Sequence, residues 1–473
     1  MNWPVLGFAC CPFDRPDEEG FLTVLPNSEN ARSGGRSRLT EGSQGSQLAF
    51  RGFAAKGRPR TGSWPAILWV LMGMVAALGC RDAEQIEIAP PERIVLIVID
   101  TLRRDHLSPY SPQAVTPNIE ALAKRGQVFG DFSAAYHQTT MSMAALFTGR
   151  TPSLERGADR DRLGWAGQTW CGLWRFRQAD ESGPHCIPRS VETLAERLRH
   201  RGYWTLGITS NELLYRPGGY ERGFDRWVEL PETPVYAGRV NQAFQKNLSD
   251  RPSDRFFLYV HFMDVHDYQM QGRSYEASVR VVDEAIGRLV SILENLEILD
   301  GTIMILTSDH GEHLPSEKHF VKPGVGHSGR PAFESLIRVP LIISPAVYPE
   351  PSRALRGVDL HRMILGLADI AVEDQSELGS GERFFSERHF QSYTHGSWKS
   401  MIHRDTGKHF LVNLQTDPDE RRSVHRRHPE VVARHAERIS ALAKKLGARS
   451  SRQHALSADD RERLHALGYS EDS

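Results

Sequence analysis

The sequence predicts an α/β protein built on a mostly parallel sheet between helix layers, and three observations carry that reading. Ile94–Asp100 reads IVLIVID, a largely β-branched run with no polar alternation, which suits a strand covered on both faces. Thr302–Ser308 (TIMILTS) repeats the design and runs into Asp309-His310-Gly311-Glu312-His313. Around these runs, amphipathic helical stretches alternate with short apolar ones, the pattern of parallel strands joined by crossover helices. Ligands of open α/β sheets bind at the carboxyl ends of strands, so Asp100 is either a site residue or the N-cap of the next helix. Two buried strands that each deliver a carboxylate, one with an adjacent His, can converge on a divalent cation.

A chain of 473 residues with 40% hydrophobic content can bury a large core, and its length points to one big domain with appendages. The net charge of −1 gives no basis for nucleic acid or for a polybasic membrane patch. Five Cys are too few for a disulfide scaffold, and no C-x-x-C pair marks a zinc or redox site.

Residues 1–63 are rich in Gly, Ser, Pro and Arg without apolar periodicity, and read as disordered or as an over-extended start of the reading frame. Arg51, Lys56, Arg58 and Arg60 then precede the uncharged apolar stretch Trp64–Gly79, followed by Cys80-Arg81-Asp82. These are the parts of a secretory signal, assigned to 64–82. Ala77-Leu78-Gly79-Cys80 also resembles a bacterial lipobox, in which Cys80 would be lipidated; an uncleaved anchor helix is the alternative. Each version predicts an extracytoplasmic protein of the periplasm or cell envelope, in contact with the membrane through an N-terminal anchor or lipid. Residues 83–92 serve as a linker, 93–375 as the main domain and 383–473 as a C-terminal subdomain.

Within the main domain, Thr116 as N-cap and Pro117 at the first helical position predict a helix over Asn118–Arg125, stopped at Gly126. A short strand is expected near Val128–Phe132. Thr139–Arg150 (TTMSMAALFTGR) has an apolar middle and a Gly near its end, predicting a helix whose N-terminus carries two threonines. That terminus favours an anion such as phosphate or sulfate, or Thr139 or Thr140 merely caps it. Ser190–Arg201 and Tyr275–Leu296 read as helices, and Tyr203–Thr209 and Phe256–Phe262 (FFLYVHF) as strands. Beyond Ser344, Val358–Ile370 reads as a helix, Arg383–Leu414 as short β segments, and His425–Leu446 and Ala458–Leu467 as polar helices with solvated faces.

IVLIVIDTLRRDHL, TPNIEALAKRG, TTMSMAALFTGR, TSDHGEH and FESLIRVPLII, in this order and at these separations, resemble the sulfatase family of the alkaline phosphatase superfamily. The resemblance runs from Arg93 to Ile343 and more weakly onward, through DPDERRS and the terminal LHALGY. It implies a doubly wound sheet, a small C-terminal antiparallel sheet, and metal-dependent hydrolysis of an ester of a tetrahedral oxyanion in a small-molecule, glycan or lipid substrate. Asp100, Asp309 and His310 match the family's ligands for one divalent metal, Ca2+ by resemblance, with Zn2+, Mn2+ or Mg2+ as alternatives. Thr101 stands where many sulfatases carry a second Asp, and is a weaker ligand for a hard cation.

The family's nucleophile lies in C-x-P-S-R or S-x-P-S-R, whose first residue is oxidised to formylglycine. Here the corresponding places read Thr139, Thr140, Met141, Ser142 and Met143. Thr139 cannot become that aldehyde, because its β-carbon already bears a methyl group. It resembles instead the unmodified Thr nucleophile of phosphodiesterases and phosphoethanolamine transferases in the superfamily, activated by the metal at its side. Met263–Tyr268 is similar to the family's H-x-x-x-P-H stretch, with Val265 in place of Pro; His266 would contact the transferred group or protonate the leaving oxygen. His327 sits where sulfatases carry a substrate-binding Lys or His. Lys399 is expected to reach substrate from the second sheet. His313, with Lys318 and His319, is either substrate-binding or a solvated loop residue. The insertion Arg156–Pro188 contains Cys171 and Cys186, which could form a disulfide in an oxidising compartment, and Trp165, Trp170 and Trp174, which line an entrance or pack the loop.

The leading expectation is a metal-dependent hydrolase or transferase of phosphate esters with Thr139 as nucleophile. The alternatives are a sulfuric ester hydrolase acting without formylglycine and a binding protein that kept the fold after losing catalysis.

Overall fold

A computed structural model describes residues 90–446 except 152, 156–161, 166–167, 171–186, 188–190, 217, 232–233, 322–326, 328–330, 350, 352, 373–377 and 388. The N-terminal segments, Cys80, Cys171, Cys186, Trp174 and the helix expected over Ala458–Leu467 lie outside the described residues.

In chain order, β1 (Arg93–Ile99), α1 (Pro117–Lys124), β2 (Gln127–Val128), β3 (Phe132–Ser133) and α2 (Thr139–Thr148) open the fold. In the insertion come β4 (Ser153–Glu155), β5 (Arg162–Trp165) and β6 (Gln168–Trp170), which pair with one another. Then follow α3 (Leu194–His200), β7 (Trp204–Thr209), β8 (Arg226–Glu229), α4 (Ala237–Ser249), β9 (Phe256–Phe262), α5 (Tyr275–Asn295) and β10 (Thr302–Thr307). The short α6 (Glu334–Ile337), β11 (Leu341–Ser344), β12 (Leu355–Arg356) and α7 (Gly357–Leu367) lead to the C-terminal strands β13 (Arg383–Ser386), β14 (Phe390–His395), β15 (Trp398–His403) and β16 (His409–Asn413), and to α8 (Pro429–Leu446).

The main sheet has seven strands in the order β2-β11-β10-β1-β9-β7-β8. β1 lies at its centre, parallel to both β10 and β9, and only β11 and β2 run antiparallel to their neighbours. Strand alternation splits the β1 side chains between two cores. Ile94, Leu96 and Val98 pack with Met141, Met143 and Phe147 of α2, while Val95, Ile97 and Ile99 pack with Val240 and Phe244 of α4 and Val279 and Val282 of α5. Both faces are therefore covered, which is why the strand reads as a continuous apolar run; each fully buried aliphatic side chain contributes about 1.5–3 kcal/mol of transfer free energy. The doubly wound, mostly parallel sheet and the four-stranded antiparallel C-terminal sheet are both present. α8 lays Ile439, Leu442 and Leu446 on the latter, against Phe384 and Tyr393.

Three local expectations need correction. Thr116 does not cap α1, because its Oγ1 accepts the Ser108 N–H at 2.9 Å. Asp283 of α5 takes the free N–H groups of Asn118 and Ile119 instead, at 3.2 and 2.8 Å. The strand expected over 128–132 is two short ones, β2 and β3, that pair in different sheets. The helix expected from His425 starts at Pro429 after a 3-10 turn, since the residue before a proline disfavours the helical backbone.

Candidate active site

β1 and β10 are adjacent and in register up to Val98 and Thr307, so the residues that follow them emerge side by side. After β1 the chain turns sharply at Thr101, whose φ of 58° is left-handed. Its N–H donates to Asp309 Oδ1 at 3.2 Å and its hydroxyl to the Asp100 carbonyl at 2.7 Å. The Thr101 N–H thus joins the two strand tips, while its hydroxyl is committed to its own strand.

Asp100 does not cap a helix: the short 3-10 turn that follows β1 has Arg103 at its N-cap. Its Oδ2 accepts from Asn211 Nδ2 at 2.7 Å and lies 3.1 Å from His261 Nε2. Asp309 Oδ1 accepts the His310 N–H at 2.8 Å. The other two oxygens, Asp100 Oδ1 and Asp309 Oδ2, are buried with no hydrogen-bond partner. They lie 3.8 and 3.5 Å from His310 Nε2. His310 Nδ1 is 2.8 Å from the Gly311 carbonyl, which assigns the ring proton to Nδ1 and leaves a lone pair on Nε2. Two orphaned carboxylate oxygens beside an imidazole lone pair, in three residues that each offer a ligand atom within 4.8 Å of the others, are a donor set that fits a divalent cation.

The Thr139 hydroxyl faces the same point, 3.2 Å from His310 Nε2 and 3.4 Å from Asp100 Oδ2. Gln138 is the N-cap of α2, so Thr139 and Thr140 occupy the first turn of the helix, and the capping alternative falls. Ser142 Oγ donates to the Asp309 carbonyl at 2.5 Å and Tyr220 Oη to the Thr140 carbonyl at 2.8 Å, which anchors this turn to the strand tips. Gly149, with φ 68°, ends the helix. Met143, at the place of the family's Arg, is wholly buried in the core.

Burial acts against the Asp100 charge, yet the hydrogen bond with His261 and the nearby His266 and His310 hold its carboxyl well below the usual range. Asp309 is pushed up by burial and by the Asp100 charge beside it. Burial also opposes the charge on His266, but its 2.8 Å contact with Asp267 Oδ1 and the charge of Asp100 raise it to about 10. His327 goes the other way: burial outweighs its 3.1 Å contact with Glu312 Oε2. The His327 ring lies 4.5 Å from that of His310 and 5.6 Å from that of His266, centre to centre. One protonated and one neutral imidazole therefore stand side by side, the arrangement in which acid and base roles separate.

The structure brings together Thr139, Asp100, Asp309, His310, His266 and His327. It does not bring Lys399 to them. That side chain is fully buried, with its Nζ 2.8 Å from both Glu334 Oε1 and Glu420 Oε1, so its charge is used inside the protein. His313 points its Nδ1 at Glu317 and His319, each at 3.2 Å, and not at Thr139. Sequence reasoning missed Asn211, His261, Tyr259, Asp267 and Glu312. His261 had a signal, as a polar residue in the otherwise apolar strand FFLYVHF; its Nδ1 meets Tyr259 Oη at 2.5 Å. Asn211 follows the tip of β7, where the strand-end rule that found Asp100 also applies.

Fold and site together define the class of α/β proteins whose reactive groups gather at the tips of a mainly parallel sheet. The Sulfatase family model matches residues 92–370, and the chain belongs to the sulfatase family. N-acetylgalactosamine-6-sulfatase of Sus scrofa is 28% identical over 304 residues, 53% of this chain and 55% of the relative. The chain spans about half the length of such curated relatives. Among solved structures, phosphonate monoester hydrolase of Agrobacterium radiobacter matches with a TM-score of 0.52 at 16% identity, over 75% of this chain and 96% of its own. A protein in complex with its substrate D-glucosamine-2-N,6-O-disulfate matches with a TM-score of 0.57 at 16% identity, over 75% and 98%. At these identities the two structures share the fold.

Proposed function

We propose that this chain is a metal-dependent ester hydrolase or transferase in which unmodified Thr139 attacks the phosphorus of a phosphate ester. The observation that carries the reading is the Thr139 hydroxyl 3.2 Å from His310 Nε2, which itself lies 3.8 and 3.5 Å from two orphaned carboxylate oxygens. Asp100, Asp309 and His310 would hold the cation, which when bound makes the hydroxyl more acidic and offsets charge on the oxyanion. The imidazole in this set favours Zn2+ or Mn2+ over the Ca2+ that family resemblance implies. Asn211 and His261 hold the Asp100 carboxylate in one orientation. The Thr139 hydroxyl loses its proton to solvent as the Oγ–P bond forms, and as the bond to the leaving oxygen breaks, protonated His266 supplies the proton that oxygen needs. Water then hydrolyses the phospho-threonine, or an acceptor alcohol takes the phosphoryl group.

A sulfate ester is the second reading, favoured by the relative named N-acetylgalactosamine-6-sulfatase and by the disulfated sugar bound to the structural neighbour. A glycan or other small-molecule ester suits both. The proposed organisation keeps 93–375 as the catalytic part and 383–473 as a C-terminal subdomain, placed outside the cytoplasm by residues 64–82 or by a lipid on Cys80. Among the described residues no helix is long and apolar enough to cross a membrane.

The test compares wild type with Thr139→Ala on matched nitrophenyl phosphate monoester, phosphate diester and sulfate ester, with divalent metals supplied. Phosphoester turnover that vanishes in Thr139→Ala supports the proposal. Sulfate turnover that survives the substitution overturns the nucleophile assignment. Metal binding without turnover of any ester moves the non-catalytic reading to first place.

A further inference from the structure

A second constellation lies beyond the strand tip, in the turn His313-Leu314-Pro315-Ser316-Glu317-Lys318-His319. His313 Nδ1 is 3.2 Å from Glu317 Oε2 and 3.2 Å from His319 Nε2, and the donor atoms of all three residues lie within 4.8 Å of one another. A tetrahedral zinc ion, with bonds of about 2.0–2.1 Å, sets its ligand atoms about 3.3–3.4 Å apart. Two edges of such a tetrahedron are therefore already formed.

Outer partners orient two of the three donors, His319 and Glu317, in the way a metal requires. His319 Nδ1 lies 3.0 Å from the Asp419 carbonyl, which commits its proton there and turns an Nε2 lone pair toward His313. The Phe333 ring stacks on His319 at 4.0 Å with 9° between the planes and fixes the imidazole's orientation. Arg103 Nη1 donates to Glu317 Oε1 at 2.6 Å, and the Leu314 N–H donates to Oε2 at 2.9 Å, so the carboxylate is held from both ends. Glu317 and His319 also line a cavity of about 600 Å³, which gives an ion and its water ligand a way in.

We infer that His313, Glu317 and His319 form a second divalent-cation site, separate from Asp100, Asp309 and His310 and best suited to Zn2+. Two imidazoles and one carboxylate, with a fourth position facing the cavity, are a zinc ligand set. The ion would act as a clip on the loop that leaves β10. His313 directly follows Glu312, the partner of His327, so the clip fixes the outer wall of the first site without contributing to its chemistry.

The full chain, stripped of metal, is titrated with Zn2+ by calorimetry, with bound metal counted after desalting. Wild type is expected to hold two equivalents, and His319→Gln and Glu317→Gln one each. Asp309→Asn, which disables the first set, is expected to keep the equivalent that His319→Gln loses, and this separates the inference from the proposed reaction. Zn2+ should raise the melting temperature of Asp309→Asn and leave that of Asp309→Asn/His319→Gln unchanged, while both melt cooperatively in chelator. One equivalent in wild type that His319→Gln retains, retention of both in His319→Gln, or no zinc-dependent shift in Asp309→Asn overturns the inference and leaves these side chains as a hydrogen-bonded cluster.

Discussion

The side-chain amide of Asn211 donates to Asp100 Oδ2 at 2.7 Å, joining the tip of β7 to the tip of β1. The bond leaves Asp100 Oδ1 as the oxygen turned toward His310. Asn211→Ala is expected to lower metal affinity and kcat by roughly 10- to 100-fold, the usual effect of removing an outer partner of a ligand. The fold should persist, because the Asn211 side-chain oxygen, which accepts the Leu213 N–H, caps only the short 3-10 turn Glu212–Leu214. Metal titration and circular dichroism of the variant check both statements; unchanged metal affinity would mean that Asp100 does not need this orientation.

The pair His266 and Asp267 predicts a dependence on the leaving group. With Asp267 at 2.8 Å and Asp100 nearby, His266 stays protonated up to about pH 10. His266→Gln should slow esters of alkyl alcohols by about 10²–10⁴-fold and nitrophenyl esters much less, since nitrophenolate leaves without a proton. Equal losses for both leaving groups would remove His266 from the acid role.

Gly311 sits against the chain that carries α6. A Cβ there would meet the Ser335 carbonyl oxygen at 2.0 Å, and the Gly311 N–H already donates to the Leu336 carbonyl at 2.7 Å. Gly311→Ala must push backbone apart beside His310, at a cost of about 1–3 kcal/mol. Thermal melting should show the destabilisation, accompanied by weaker metal binding. A variant as stable as wild type would show that the two segments separate freely.

Acid sensitivity should trace partly to Glu334. Burial opposes its charge, but Arg383 and Lys399 hold the carboxyl at about 2, below the ordinary 4.5. A depressed folded pKa means the native state binds fewer protons than the unfolded one. The stabilisation is therefore fully present above pH 4.5 and is lost as pH falls toward 2. Glu334→Gln should be less stable near neutrality and should have a shallower decline over that window, measured by urea unfolding at several pH values. Parallel curves for the two proteins would contradict the assignment.

The parts of the site written as local pattern were legible beforehand. Asp100 and Asp309 each end an apolar run, His310 and Thr139 lie in recognisable motifs, and the structure puts all four within reach of one point. What escaped were contacts between distant segments. Nothing local to Asn211 says that it meets Asp100, 111 residues away, and nothing local to Asp283 says that it replaces Thr116 at the start of α1. Lys399 misled for the same reason, because a lysine on a strand can reach out to substrate or in to a carboxylate, and the positions of Glu334 and Glu420 decide between them. His313 was placed on the correct loop, but which way its ring turns depends on Glu317, Arg103 and Asp419 together.

Lys399 of β15, bound by Glu334 of α6 and by Glu420, bears on the modularity of the protein, with Arg383 of β13 completing the grip at 3.0 Å from Glu334. Glu334 comes from the main domain and the other three charges from the C-terminal part, so the full set assembles only when both are present. A shortened chain ending before Arg383 would leave Glu334 with Arg338 alone, 3.2 Å away, and its complement would leave Lys399 with Glu420 alone; breaking a buried pair costs roughly 3–5 kcal/mol. The smaller sheet is therefore not a detachable accessory that recombination can lend to another protein or remove from this one. The two sheets are bound to be inherited, expressed and unfolded together.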